Sequence, residues 1–246
     1  AFFDQVGSVT AQLKTSRHSD TPQQDTPHSR RRVSLADYEF ADLIDQQDKV
    51  RLLIDPTSSY ARAAAFAMGR AMDDVIIAAA TGTAYTGETG ATTESAQTAI
   101  AASIGSTTGL NIPKIAKAKQ LLDVADVDPS IARHIIVSPE QINNLLNVTE
   151  VTSADFNTVK ALVHGEIDTF LGFKFTVSNR LAKSGNDRTI IAYAEDGIAL
   201  AVGKDISARI DERADKSYAT QVYYCQTIGA TRMEQAKVVP ITCTEA

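Results

Sequence analysis

The stretch DQQDKVRLLIDPTSSYARAAAFAMGRAMDDVIIAAATG, residues 45–82, predicts one long helix made almost wholly of small residues. Asp55 can cap this helix and Pro56 suits its first position, where a missing N–H costs nothing. Gly82 is placed to end it. Apolar residues recur at helical spacing for about six turns, namely Tyr60, Ala64, Ala67 or Met68, Ala71, Val75 and Ala78. Because alanine buries little area, such a helix suits a flat body in which it lies close to a sheet. This favours a structural protein over a catalyst.

Residues in and before this helix form a pattern that extends upstream: Tyr38, Ala41, Ile44, Asp45, Asp48, Arg51, Asp55, Pro56 and Tyr60, then Arg70, Asp73 and Asp74. The pattern resembles that of the major capsid proteins of tailed bacteriophages, which have the Hong Kong 97-like fold. The resemblance covers nearly the whole chain in element order. It implies an α+β fold with an N-terminal arm, an extended β-hairpin loop, a peripheral domain with a long spine helix and long strands, and a central axial domain.

The resemblance also implies domain boundaries. The arm would be residues 1–16, the extended loop 17–44, the peripheral domain 45–98 and 204–246, and the axial domain 99–203. Apolar residues in 1–16 show modest helical periodicity. Residues 17–32 are polar and contain two prolines, so they cannot pack a core. We predict that they form the tip of a hairpin, with LKTS before it and VSLADYEFADLI after it as its two strands.

Further elements follow from local patterns. A second helix is predicted over 110–124, with a face formed by Ile112, Ile115, Ala116, Lys119 and Leu122. A buried strand over 134–138 precedes a helix that Ser138 caps and Pro139 opens. We also expect a short helix over 155–163, a strand over 172–181, and two strands over 189–203 joined at residues 195–197. From Ile206 onward, alternation predicts long antiparallel strands with a charged turn near 214–216.

Composition narrows the class of protein. Apolar residues make up 43% of the 246 residues, Trp is absent, and no apolar run is long enough to span a membrane. The start, AFFDQVGSV, lacks the basic and apolar regions of a secretory signal. A net charge of −6 disfavours a general nucleic-acid binder. The two cysteines, Cys225 and Cys243, are expected to be reduced thiols in strands, since nothing else in the sequence indicates an oxidising compartment.

No residue pattern predicts a catalytic, cofactor-binding or metal site. Residues 82–89 match a phosphate-binding loop except that Glu88 replaces its lysine, and they follow a helix where such a loop follows a strand. The histidines, His18, His28, His134 and His164, lack the spacing of zinc ligands. We therefore expect a Gly/Thr/Ser-rich connector at 81–96 and no enzyme.

Charged residues supply the candidate subunit contacts. Arg30, Arg31 and Arg32 form the only basic run, and we expect them to pair with an acidic patch on a neighbouring subunit. The candidate acidic partners are Asp73, Asp74, Asp211 and Glu212. Solvated charge and contact with DNA are the alternatives for the arginines.

The resemblance predicts a major capsid protein that forms an icosahedral shell around double-stranded DNA. Its implied partners are itself, as hexamers and pentamers, with scaffolding, portal and decoration proteins; it encloses DNA without specific binding and lies in the virion after assembly in the host cytoplasm. An encapsulin-like nanocompartment subunit is the alternative of the same fold, and a small-ligand enzyme that of another class. In the shell of the family's namesake, a lysine of the extended loop forms an isopeptide bond with an asparagine of a neighbouring subunit. Because residues 15–48 contain no lysine, we expect a non-covalent shell.

Overall fold

The computed structural model describes residues 1–7, 9–18, 20–21, 23–45, 47, 57–105, 109–146 and 169–245, without the side chains of residues 57 and 58. The helices are α1 (Thr57–Thr81), α2 (Ile112–Val124) and α3 (Pro139–Leu146). The strands are β1 (Phe2–Val6), β2 (His28–Arg32), β3 (Ala36–Ile44), β4 (Ala84–Thr86), β5 (Thr92–Glu94), β6 (Arg133–Val137), β7 (Thr169–Phe170), β8 (Phe173–Val177), β9 (Lys183–Ser184), β10 (Asp187–Ala194), β11 (Ile198–Arg213), β12 (Ala219–Arg232) and β13 (Val238–Thr244).

These strands form three sheets. The first has the order β1-β2-β4-β5, the second β13-β10-β6-β8-β7 with β9 beside β10, and the third β11-β12-β3. Among the described pairs, only β6 and β8 run parallel, and the others are antiparallel. The predicted mixture of helices and sheets is confirmed.

The long helix α1 lies against the three-stranded sheet. Ala64 is completely buried, and the side-chain amide of Gln226 in β12 donates to the Met68 carbonyl at 3.0 Å. The helix ends before Gly82, as predicted. Its last turns bury Ile77 and Ala80 but expose Ala78, which the predicted face included. The reason is that this end of the helix packs into the core of the six-stranded sheet, which includes Ile77 and Ala80. The predicted cap at residues 55 and 56 lies outside the described residues.

The close approach of α1 to the sheet makes a testable prediction. Ala64→Leu places three extra carbon atoms in a fully buried position. It should lower the free energy of unfolding by about 1–3 kcal/mol, measured by urea denaturation of unassembled subunits. The neighbouring Ala65 is exposed, so Ala65→Leu is the matched control and should change stability little. Equal stability of the two variants would contradict close packing at Ala64.

The main core lies between the six-stranded sheet and the helices α2 and α3. It includes Ile115, Leu122, Ile135, Phe173, Ile190 and Ile241. Helix α2 begins at Ile112, where the Asn111 side chain accepts from the Lys114 N–H at 3.0 Å. The predicted face was partly wrong, since Ala116 is exposed while Lys114 and Ala118 are buried. The long stem of Lys114 packs inward and its Nζ donates to the Gly109 carbonyl at 2.7 Å.

A buried carboxylate joins the C-terminal segment to helix α3. Ser138 caps α3 as predicted, since its Oγ accepts from the Gln141 N–H at 3.3 Å. The same hydroxyl donates to Glu245 at 2.6 Å, and Arg188 and Lys183 form ion pairs with that carboxylate at 2.7 and 3.2 Å. Burial raises the pKa of Glu245, but the hydrogen bonds from Ser138, Arg188 and Lys183 outweigh it and bring this pKa to about 2.

The N-terminal hairpin differs from the prediction. Its strands are β1 and β2, paired from Phe2 with Arg32 to Val6 with His28. Residues 2–6, whose apolar spacing indicated modest helical periodicity, therefore supply one strand of the hairpin, and β3 pairs with β12 instead of closing the hairpin. Lys14 lies in the connection between β1 and β2. The lysine-free stretch 15–48 thus does not cover this connection, and it no longer supports the expectation of a non-covalent shell.

Along its last four long strands, the chain passes from the six-stranded sheet to the three-stranded sheet and back again. The turn at residues 214–216 joins β11 and β12 as predicted. However, β10 and β11 do not form a hairpin across residues 195–197, because β10 pairs with β6 and β13 while β11 pairs with β12. Strand β13 likewise lies in the six-stranded sheet, so residues 238–244 pair with β10 and not with the strands grouped with them in the predicted range 204–246.

The two crossings lie side by side. One is the 3-10 turn Glu195–Gly197 and the other is the 3-10 turn Gln235–Lys237. The Met233 N–H donates to the Gly197 carbonyl at 2.9 Å. Lys237 Nζ lies 2.6 Å from Asp196 and 2.9 Å from Glu234, so one ammonium group holds both crossings together. The helix predicted over 155–163 lies outside the described residues. No described helix is long and apolar enough to cross a membrane.

Candidate functional site

The three arginines of the predicted contact all lie in strand β2, and each has a partner within its own chain. Arg30 Nε donates to Asp4 of β1 at 2.7 Å. Arg31 is buried and its guanidinium pairs with Glu94 of β5. The guanidinium carbon of Arg32 lies 4.5 Å from the centre of the Tyr85 ring in β4, a cation–π contact. The basic run therefore fastens the base of the hairpin to strands β4 and β5.

A fourth arginine, Arg232, connects strand β5 to the end of helix α1. It is almost fully buried and donates to three main-chain carbonyls, those of Ala80 at 3.0 Å, Gly82 at 2.9 Å and Glu94 at 3.0 Å. The last carbonyls of a helix have no partner within it, and a cation is favourable there. Burial lowers the pKa of Arg232. This one side chain ties the end of α1, strand β5 and the end of β12 together.

The predicted acidic partners are spread over two elements. Asp73 and Asp74 lie on α1, and Asp74 forms a two-pronged ion pair with Arg180 while Asp73 is exposed. The hydrogen bond from Arg180 lowers the pKa of Asp74. Asp211 and Glu212 lie on β11 and are exposed. The structure brings none of the four into contact with the arginines of β2 within one chain, which leaves their predicted role between subunits a prediction.

The connection between β1 and β2 is exposed along its described length. Gly7 donates to the Pro27 carbonyl at 2.8 Å, which closes the base of the connection. Every described residue from 9 to 30 is exposed. Two of them are large apolar residues, Val9 at 60% exposure and Leu13 at 89%. Because these side chains are exposed on their own subunit, they are available to pack against another molecule.

The described residues contain neither a phosphate-binding loop at 82–89 nor a cluster of metal ligands. The sequence that resembles a phosphate-binding loop forms strand β4 and a tight turn to β5 instead of opening a helix, with Gly87 at a φ of 92°. No group of three or more His, Cys, Asp or Glu side chains that could hold a metal ion occurs in the described part of the chain. The cleft of about 620 Å³ beside α2 is open, and two of its charged side chains, Asp123 and Arg133, already pair at 2.7 Å.

Sequence reasoning missed the intrachain partners of the candidate residues: Glu94, Arg180, Arg232 and, at the C-terminal segment, Glu245. A signal existed for Arg232. It lies four and six residues after Ile228 and Gln226, and alternate residues of a strand point to the same face. Both of these residues are buried, so the alternation along β12 places Arg232 on the same buried face.

Comparison with known proteins decides what the molecule is. The protein family described as "Phage capsid protein" matches residues 1–245. The chain belongs to the phage capsid protein family. It is therefore a major capsid protein that forms the shell of a phage, as the sequence predicts. This membership favours the phage shell over the nanocompartment and enzyme alternatives. No curated protein sequence matches the chain.

Solved structures support the fold of this capsid protein. A structure from Mycobacterium phage Che8 has 21% identity and a TM-score of 0.65, and the match covers 98% of this chain and 83% of that one. The cyanophage Pam1 capsid has 14% identity and a TM-score of 0.70, with coverage of 100% and 85%. The head of Helicobacter pylori bacteriophage KHP40 has 10% identity and a TM-score of 0.73, with coverage of 100% and 85%.

Proposed function

We propose that this capsid protein is a Hong Kong 97-like subunit that assembles as hexamers and pentamers into an icosahedral shell around the double-stranded DNA of a tailed phage. It acts mechanically and not as an enzyme. The exposed connection of the β1–β2 hairpin carries this proposal, since every described residue from 9 to 27 is exposed on its own subunit. On a neighbouring subunit, Val9 and Leu13 would lose their exposed apolar area.

The domain assignment is part of the proposal. We assign residues 1–33 to the extended loop and its base, and α1 with the sheet β11-β12-β3 to the peripheral domain. The six-stranded sheet with α2 and α3 forms the axial domain. Strand β13 goes with the axial domain because it pairs with β10 along seven residues. These assignments revise the ranges predicted from sequence, where 204–246 is one unit.

The proposed contacts between subunits use the charged residues that the subunit leaves exposed. These are Asp73 on α1, Asp211 and Glu212 on β11, and Arg30, whose exposed ion pair with Asp4 contributes about 0–1 kcal/mol. Arg31, Arg32 and Asp74 are occupied by Glu94, Tyr85 and Arg180. We therefore assign these three to positioning the hairpin and the helix, not to direct contact.

Other partners follow from the same role. Scaffolding and portal proteins would act during assembly in the host cytoplasm, and a decoration protein would bind the finished virion. The net charge of −6 supports enclosure of DNA without specific binding, because a phosphate backbone attracts basic surfaces.

Shortening the hairpin tests the proposal. Replacing residues 9–25 by Asn-Gly keeps β1 and β2 and joins them with a turn that suits antiparallel strands. The variant subunit should keep the thermal stability of the parent, because every described residue among those removed is exposed. It should fail to form shells, as seen by electron microscopy and sedimentation.

An equal-length Gly/Ser replacement of residues 9–25 is the control, since it keeps the reach of the connection but removes its side chains. If this control partly recovers assembly, the length of the connection accounts for part of the assembly defect of the shortened variant. Shells of normal stability from the shortened variant would contradict the proposed role of the connection.

A further inference from the structure

Cys225 lies at the centre of β12, on the face of the three-stranded sheet that α1 does not cover. Its neighbour Gln226 donates to the Met68 carbonyl of α1, and successive residues of a strand point to opposite faces. The Cys225 side chain therefore points away from the helix, where it is half-buried. It forms no disulfide, as predicted from sequence.

Two side chains of β11 converge on this sulfur. Lys204 Nζ lies 3.1 Å and Ser207 Oγ 3.0 Å from Cys225 Sγ. Residues three apart in a regular strand point to opposite faces, so they could not both reach one atom. The β11–β12 register shifts between Val202 and Lys204 and again between Lys204 and Ser207. This bulge turns both side chains to the same face and aims them at the sulfur.

The charges around the sulfur favour its ionised form. The hydrogen bonds of Ser207 and then Lys204 lower the pKa of Cys225, and Tyr223 adds to the effect. On the third strand, Glu39 lies opposite Cys225 and accepts from Tyr223 OH at 3.2 Å, while Asp37 accepts from Thr227 at 2.6 Å. The nearer carboxylate is thus bonded to the tyrosine, and the Lys204 ammonium lies directly against the sulfur. A thiolate held by an ammonium group reacts readily with electrophiles.

The second cysteine provides a contrast within the same molecule. Cys243 in β13 is fully buried, and burial raises its pKa to about 11. Lys114 is near it, but the Nζ–Sγ distance is 4.0 Å, and that ammonium donates to the Gly109 carbonyl. The Cys225 thiol is therefore placed to act as a nucleophile, whereas the Cys243 thiol is part of the core.

We propose that Cys225, with Lys204 and Ser207, is a modification site that hydroperoxides oxidise to a sulfenic acid. The thiolate sulfur attacks one oxygen of the peroxide, forming an S–O bond as the O–O bond breaks. Sulfur loses two electrons and the peroxide gains them. The leaving hydroxide or alkoxide takes a proton from the Lys204 ammonium, which regains it from water. The product, Cys–SOH, condenses reversibly with small thiols.

The test uses the full chain as folded, unassembled subunits. Iodoacetamide alkylation of each cysteine is followed by peptide mass spectrometry from pH 5.5 to 9.5. Cys225 should react at least about tenfold faster than Cys243 at pH 7, with a midpoint below about 8.5, the value of a free thiol. After hydrogen peroxide, dimedone should label Cys225 and not Cys243.

Two variants and a control isolate the cluster. Lys204→Met and Ser207→Ala should each slow Cys225 alkylation at pH 7 by about threefold or more and move the midpoint upward. Lys216→Met removes an exposed ammonium from the turn after β11 and should change neither. Lys204→Met and Ser207→Ala both matching the parent, or Cys225 reacting no faster than Cys243, would overturn the proposal. If Lys204→Met does not fold, Ser207→Ala alone decides.

Discussion

Replacing Arg232 with methionine should lower the free energy of unfolding of the capsid subunit by about 3–5 kcal/mol, the largest effect we expect from one substitution. Methionine has a similar length but offers no donor. The carbonyls of Ala80, Gly82 and Glu94 would then lose the guanidinium that now bonds all three. Each buried acceptor left without a donor costs about 1–3 kcal/mol, less any part that water regains.

The matched control is Arg209→Met. Arg209 is exposed on β11, so its replacement removes the same charge without uncovering a carbonyl. Urea denaturation of both variants, followed by circular dichroism, gives the two free energies. Hydrogen exchange should locate the damage of Arg232→Met at the end of α1 and in the β4–β5 hairpin. A loss under about 1 kcal/mol, which is the value of an ordinary hydrogen bond, would contradict the central role of Arg232.

The second large effect concerns Glu245. Glu245→Gln should destabilise the subunit by about 2–4 kcal/mol at neutral pH, because Arg188 and Lys183 lose the carboxylate with which they pair. The amide can still accept from Ser138, so the cost stays below that of a full deletion. Glu88→Gln, which neutralises an exposed carboxylate, is the control and should change stability little.

The same carboxylate predicts how stability depends on pH. Its pKa in the folded subunit is about 2, below its ordinary value of 4.5. The stabilisation is therefore fully present above pH 4.5 and is lost as the pH falls toward 2. Acid denaturation of the parent should be steeper over this interval than that of Glu245→Gln. Parallel curves for the two proteins would show that Glu245 does not titrate as described.

Local periodicity predicted the elements that it encodes directly. Helix α1, the cap of α3 at Ser138 and the turn between β11 and β12 were all predicted from residue spacing and turn chemistry. Strand β1 was not, because the spacing of Phe3, Val6, Val9 and Leu13 fits a helix equally well. What makes this segment a strand is its pairing with β2, more than twenty residues later. That pairing leaves no local pattern.

For the same reason, the sequence does not predict which strands that lie far apart along the chain pair with each other. The alternation in β13 predicts a strand but does not say which strand lies beside it, and β10 is almost fifty residues earlier. The charged residues show the same division. The pattern predicted Asp73 and Asp74 on a helix and Asp211 and Glu212 on a strand, as observed, but it placed the three arginines in the hairpin tip, and they lie in β2. The pairing of Arg31 with Glu94 and of Asp74 with Arg180 depends on how the chain returns on itself.

The paired crossings at Glu195–Gly197 and Gln235–Lys237 determine how load passes through the subunit. A single covalent connection between two sheets would let one sheet rotate relative to the other in any direction. Two parallel connections, joined by Lys237 to Asp196 and Glu234, act as a hinge that bends about one axis and resists torsion. Tension along β11 or β12 therefore reaches β10 or β13 through the backbone itself. Under outward pressure, the six-stranded and three-stranded sheets would tilt against each other without shearing apart.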